Sequence, residues 1–185
     1  MIVLVGPSAS GKSSIAKYIA DHSDYEQIVT YTTRPMREGE IDGVDYHFVS
    51  INDFIKKTHD DFFMEVAKYN NWWYGSAKSD YTSNKITVLT PKGLRQLKSK
   101  CSDLAPFSSF LIFTNRRDRL IKMLERGDDI EEAYRRNISD VGMFDGVEDE
   151  VDCVIYNDNY EKTVAELGEQ ILQWENGGKC TRQVG

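Results

Sequence analysis

Apolar residues fall along this chain in short unbroken runs, each closed by a turn signal. Ile2-Val3-Leu4-Val5 stops at Gly6, Ile86-Thr87-Val88-Leu89 stops before Pro91, and two more runs follow at Phe110-Leu111-Ile112-Phe113 and Cys153-Val154-Ile155-Tyr156. Runs of this length, apolar at consecutive positions, suit strands buried on both faces. Helical spacing takes over after each: Ile15, Ala16, Ile19 and Ala20 within Ser13 to Asp21, then Pro91 to Lys100, Arg117 to Arg126 and Tyr160 to Trp174. Strands alternating with helices predict an α/β fold, a parallel sheet covered on both sides.

Two stretches interrupt that rhythm. From about Thr30 to Lys85 the chain is rich in Thr, Tyr, Gly and Asp and carries most of the aromatic residues, which predicts an inserted lobe. From about Met123 to Glu150 acids mix with several arginines and apolar periodicity is weak, which predicts a mobile lid. The expected organisation is one domain over residues 1–175, with a core of 1–29, 86–122 and 151–175, a lobe of 30–85 and a lid of 123–150. Residues 176–185, with two glycines and no apolar pattern, read as a flexible tail.

Composition narrows the class. The 185 residues are 40% hydrophobic and 29% charged, which fits one soluble globular domain. The apolar start is too short for a secretory segment, and no stretch approaches the roughly 20 apolar residues of a membrane span. Cys101, Cys153 and Cys180 are odd in number and lack metal-ligand spacing, which implies a reducing, cytoplasmic setting. A net charge of −7 speaks against nucleic acid as a partner, so any anion must be bound locally.

Such a local site is written at the first turn. Gly6-Pro7-Ser8-Ala9-Ser10-Gly11-Lys12-Ser13 fits G-x-x-x-x-G-K-S/T, between a strand and a helix as that motif requires. Its glycines let backbone N–H groups turn inward onto phosphate oxygens, and the helix N-terminus adds partial positive charge. Gly6, Ser8, Ser10, Gly11, Lys12, Ser13 and Ser14 are therefore candidate ATP-binding residues. Lys12 would reach the transferred phosphate and the Ser13 hydroxyl would ligate Mg²⁺. The motif alone does not separate a kinase from a GTPase or a motor.

A second anion site does. In Thr30-Tyr31-Thr32-Thr33-Arg34-Pro35-Met36-Arg37-Glu38-Gly39-Glu40, followed by Gly43-Val44-Asp45-Tyr46-His47-Phe48, two guanidinium forks and a phenol can converge on one phosphate. Two phosphate sites in one chain suggest a donor and an acceptor. His22, His47 and His59 have no nucleophile partner, and no covalent intermediate is needed.

This segment closely resembles the guanylate kinase family, whose pattern S-x-T-T-R-x-P-R-x-G-E then G-x-D-Y-x-F it follows except that Pro35 stands one position early. Phe62-Phe63-Met64-Glu65 resembles the family's guanine-reading segment, and Trp72-Trp73-Tyr74-Gly75-Ser76 its Y-Y-G-S/T; the likeness runs from Ile2 to about Leu172. The resemblance implies a P-loop NTPase fold and ATP-dependent phosphorylation of GMP or dGMP. It assigns Arg34, Arg37, Tyr46 and Tyr74 to the acceptor phosphate, Glu65 to guanine N1–H and the 2-amino group, and Thr30 and Ser76 to O6. It also implies lid arginines at Arg126 and at Arg135 or Arg136, the spacing being one residue short, and Asn157 near the donor adenine. The chain would act as a monomer or homodimer.

Two positions depart from the family. Thr90 stands where relatives have an acidic residue, and Met123 where many have another lid arginine, so both touch the expected catalytic apparatus. Rival readings are a guanylate-kinase-like binding module without catalysis and a kinase for another nucleoside monophosphate. The intact loop with Lys12 opposes the first, Glu65 and Ser76 the second.

Overall fold

The computed structural model describes residues 1–69, 71–100 and 106–178. A five-stranded, wholly parallel sheet runs in the order β2-β7-β1-β8-β9, with β1 Ile2–Val5, β2 Glu26–Gln27, β7 Lys85–Leu89, β8 Ser108–Phe113 and β9 Cys153–Tyr156. All four β1 residues are buried. One face packs Ile2 and Leu4 with Ile86, Phe110 and Ile155 against α1 (Lys12–His22) and α6 (Tyr160–Glu175); the other packs Val3 and Val5 against α3 (Pro91–Ser99). The consecutive apolar runs are thus strands with two covered faces.

A separate four-stranded sheet, ordered β4-β3-β6-β5, is built from β3 Tyr31–Thr32, β4 His47–Phe48, β5 Phe63–Tyr69 and β6 Trp72–Ala77. Only β3 and β4 run parallel. Helix α2 (Ile51–His59) covers it through Phe54, whose ring stacks on Phe63 at 4.7 Å. Trp73 lies against the same ring at 6.3 Å and His47 against Tyr31 at 4.4 Å, so these aromatic residues pack the lobe. The sheet joins the core through α3, where Gln96 bonds both backbone groups of Val66 at 2.9 and 3.0 Å and Lys100 donates to the Met64 carbonyl at 2.5 Å.

After α4 (Arg116–Glu125) the segment with weak periodicity contains a real helix, α5 (Ile130–Ser139), capped by the Asp129 side chain on the Glu132 N–H. Its apolar pattern misleads because Ile130, Tyr134 and Ile138, one turn apart, face solvent while Ala133 and Asn137 are buried. Polar contacts hold it: Asn137 Oδ1 accepts from Arg116. At the other end of the chain, Asn176, Gly177 and Gly178 return N–H groups to Leu172, Trp174 and Gln173 carbonyls. The expected tail therefore begins as a helix cap; residues 179–185, with Cys180, and Cys101 lie outside the described residues. Cys153 is buried in the core.

Phe110 is fully buried on β8, between β1 and β9. Phe110→Ala should cost roughly 3–5 kcal/mol of stability, read as a shift in the urea midpoint.

Candidate functional site

The phosphate loop is shaped by what surrounds it. A Cβ on Gly6 would lie 2.3 Å from the Ile112 carbonyl oxygen, and one on Gly11 would lie 2.4 Å from Asn157 Nδ2. Gly11 also takes φ +95° as the N-cap of α1. Only glycine fits either place. Ala9 adopts φ +57° without glycine's freedom, so the loop carries local backbone strain.

Lys12 lies along this loop, donating to the Pro7 carbonyl at 2.6 Å and to Ser10 Oγ at 3.4 Å. Burial pushes its ammonium down to about 8, against the opposing pull of Asp140. Ser10 is fully buried, and its carbonyl accepts from Asn157 Nδ2 at 2.8 Å and Thr114 at 3.4 Å. Asn157 thus supports the loop from behind and does not line the cleft. Ser14 is exposed on α1, outside the cleft, with its carbonyl taken by Tyr160.

In front of the loop opens a cleft of about 640 Å³ that also reaches the second sheet; Gly6, Ser8, Lys12 and Ser13 line one end and Thr30, Arg34, Arg37, Tyr46, Glu65 and Tyr74 the other. Arg34 is buried and pre-set: its guanidinium makes a fork to Glu40 at 2.6 and 2.9 Å and lies 5.2 Å from the Tyr46 ring centre. The same carboxylate accepts the Arg37 N–H at 2.7 Å. Burial pushes the Tyr46 and Tyr74 phenols up, so both remain hydrogen-bond donors.

Glu65 is 3% exposed, and burial pushes its carboxyl up to about 7 although Ser76 donates to it at 2.8 Å. Ser76 is fully buried behind that carboxylate and is not a wall of the cleft. Space for Glu65 comes from Gly93, where a Cβ would sit 3.0 Å from Oε2. Gly93 lies in the first turn of α3, whose N-cap is Thr90 at 3.1 Å. Thr90 therefore lines the cleft as a helix cap.

In the segment expected as a lid, Arg126 and Arg136 line the cleft and Arg135 does not. Neighbouring residues of a helix point about 100° apart, so α5 can aim only one of the pair inward. Arg136 pairs with Glu132 at 2.6 Å and Asp128 at 3.4 Å, and Arg126 with Asp128 at 2.5 Å. Met123 is fully buried, so this departure sits in the interior and not on the cleft wall. Sequence reasoning missed a buried knot beside the loop: Asp140 accepts from Arg119 at 2.6 Å, from the Ser8 N–H at 2.9 Å and from the Tyr69 hydroxyl at 2.5 Å. No motif announces it, because its members are 132 residues apart at the extreme.

Among the described residues no cluster of three or more His, Cys, Asp or Glu could hold a metal ion. A divalent ion carried in on nucleotide phosphates needs few protein ligands, and the Ser13 hydroxyl, at the cleft wall in the first turn of α1, fits that need.

The guanylate kinase family model matches residues 1–174. A guanylate kinase from Sulfurimonas denitrificans is 35% identical over 176 residues, covering 90% of this chain and 84% of the relative. One from Haemophilus influenzae is 32% identical over 193 residues, covering 99% and 91%. The solved guanylate kinase from Anaplasma phagocytophilum shares the fold, with a TM-score of 0.73 at 23% identity, covering 97% of this chain and 87% of that one.

The raised Glu65 carboxyl has a stability consequence. The unfolded chain gives up this proton near pH 4.5 and the folded chain near 7, so stability falls as pH rises between them, by on the order of 3 kcal/mol in all. Glu65→Gln should melt above the parent at pH 8 and lose that advantage at pH 4.5, as calorimetry would show. With the match over residues 1–174 and relatives at 35% and 32% identity, the chain belongs to the guanylate kinase family.

Proposed function

We propose that the protein transfers the terminal phosphate of ATP to the phosphate of GMP or dGMP, giving two nucleoside diphosphates. The observation that carries this reading is one cleft with a phosphate loop at one end and a fork of arginines beside a buried carboxylate at the other. Family membership supports the kinase activity, and Glu65 supports the base. A buried carboxylate accepts the N1–H and 2-amino donors of guanine, whereas adenine leaves it unpaired.

In the reaction an oxygen of the acceptor phosphate attacks the terminal phosphorus of ATP in line. The bond from that phosphorus to the β–γ bridging oxygen breaks, and the electron pair leaves with ADP. Arg34 and Arg37, with Tyr46 and Tyr74, hold the acceptor dianion in place. Lys12 leaves Pro7 and Ser10 for the phosphates, which restores its full charge where negative charge is transferred. Arg126 and Arg136 exchange Asp128 and Glu132 for phosphate oxygens, and positioning and charge neutralisation supply the rate. Ser13 is the protein group that would hold Mg²⁺ arriving with ATP, which would supply charge neutralisation there. Ser76 and Asn157 act through Glu65 and the loop respectively. The chain acts in the cytoplasm on nucleotides, with no nucleic-acid or membrane partner; no helix among the described residues is long and apolar enough to cross a membrane.

The test is ADP formation from ATP and Mg²⁺ with GMP, dGMP, AMP, CMP or dTMP in turn. Turnover is expected with the two guanine nucleotides only, and Lys12→Ala should abolish it while the melting curve persists. Equal turnover of GMP and CMP would overturn the role of Glu65. The pH profile is a second test. Guanine binds the ionised carboxylate, which has a pKa of about 7, so the KM for GMP should rise about tenfold from pH 8 to pH 6. The acceptor phosphate also titrates near 6, and the same series on Glu65→Gln isolates that contribution.

A further inference from the structure

The knot around Asp140 joins the phosphate loop, α4, the end of α5 and the lobe sheet. Asp140 closes the C-terminal end of α5 and is 5% exposed. One oxygen, Oδ2, accepts from Arg119 of α4 at 2.6 Å and from the Ser8 N–H of the phosphate loop at 2.9 Å. Arg119 is buried as well, and further donates to the Thr114 carbonyl at 3.1 Å and the Ser8 carbonyl at 3.4 Å. The ion pair, with the loop backbone clamped between its members, is therefore a fixed part of the core.

The other oxygen, Oδ1, accepts from the Tyr69 hydroxyl at 2.5 Å, and the same hydroxyl is hydrogen-bonded to Ser8 Oγ. Tyr69 is the last residue of β5, so it belongs to the lobe sheet that carries Glu65 and Tyr74. Three residues earlier on that strand, Val66 is fixed to Gln96 of α3. Strand β5 is thus anchored to the core at Met64 and Val66 and meets the phosphate loop about 10 Å beyond Val66.

We infer that Tyr69 is the latch that holds the acceptor lobe closed on the phosphate loop, with the Asp140–Arg119 pair as its fixed keeper. The inference rests on the function proposed above and adds a positioning residue to it. A hydroxyl on a buried carboxylate makes a charge-assisted bond, strong enough to bias closure and weak enough to release. Closure brings the acceptor's arginine fork and Glu65 to the loop in the same motion, because all three side chains stand on one sheet or its connecting loop.

Tyr69→Phe removes the hydroxyl and keeps the ring. The expected result is a roughly tenfold lower kcat/KM for GMP, an ATP KM within twofold of the parent and a melting midpoint lowered by no more than a few degrees. In combination with Asp140→Asn the loss for GMP should be smaller than the product of the two single losses, since the two variants share the Tyr69–Asp140 bond. Closure is read separately in the unliganded full chain, by the distance between spin labels on ketone-bearing residues placed at Lys56 of α2 and Lys122 of α4, which leaves the native thiols untouched. The variant should show a longer, broader distribution. An unchanged distribution, or unchanged GMP kinetics, overturns the latch. A parent protein that turns over no guanine nucleotide defeats the proposed function instead, and the label distances then decide the latch alone.

Discussion

The backbone of the phosphate loop is wedged into a space with no room for side chains, and the rest of the site is arranged around that wedge. Gly6 abuts the carbonyl at the end of β8 and Gly11 abuts the amide of Asn157 after β9. The loop therefore inherits its position from the two strands that flank β1 on one side of the sheet. Asn157 and Thr114 then fix the Ser10 carbonyl, and Arg119 fixes that of Ser8. A loop whose carbonyls are so held keeps its shape when a phosphate arrives, which is a condition for electrostatic catalysis.

Glu65 shows the opposite compromise. Its burial opposes the charge that base recognition needs, and the structure relieves this only in part through Ser76. The site accepts a destabilised carboxylate in the unliganded state so that a ligand with two matched donors gains from completing it. Arg34 is treated differently. Glu40 neutralises it and orders it in advance, so that less side-chain freedom is lost when an anion binds.

Much of this could be read from the chain. The four apolar runs became four strands of the parallel sheet because strands with two covered faces leave a consecutive signature. Lys12, Arg34, Arg37 and Tyr46 could be named because each sits in a local pattern of phosphate-binding residues, Glu65 only through the family resemblance, and the cleft collects all five. Helix α5 was obscured because its apolar residues point outward and its hold on α4 is polar. Arg135 and Arg136 could be separated only by helix phase. Asn157 and Ser76 stand one layer behind the cleft, a depth that spacing does not record. Asp140, Arg119 and Tyr69 meet from three distant segments, and nothing in their local sequence marks them.

The ion pairs at the two ends of the segment around α5 differ in depth. Arg126 is half-exposed where it meets Asp128, whereas Arg119 and Asp140 are closed off from solvent. Dissolved ions screen the first kind of contact and scarcely reach the second. Rising electrolyte should thus weaken the contact at Arg126 while the pair beside the phosphate loop stays seated.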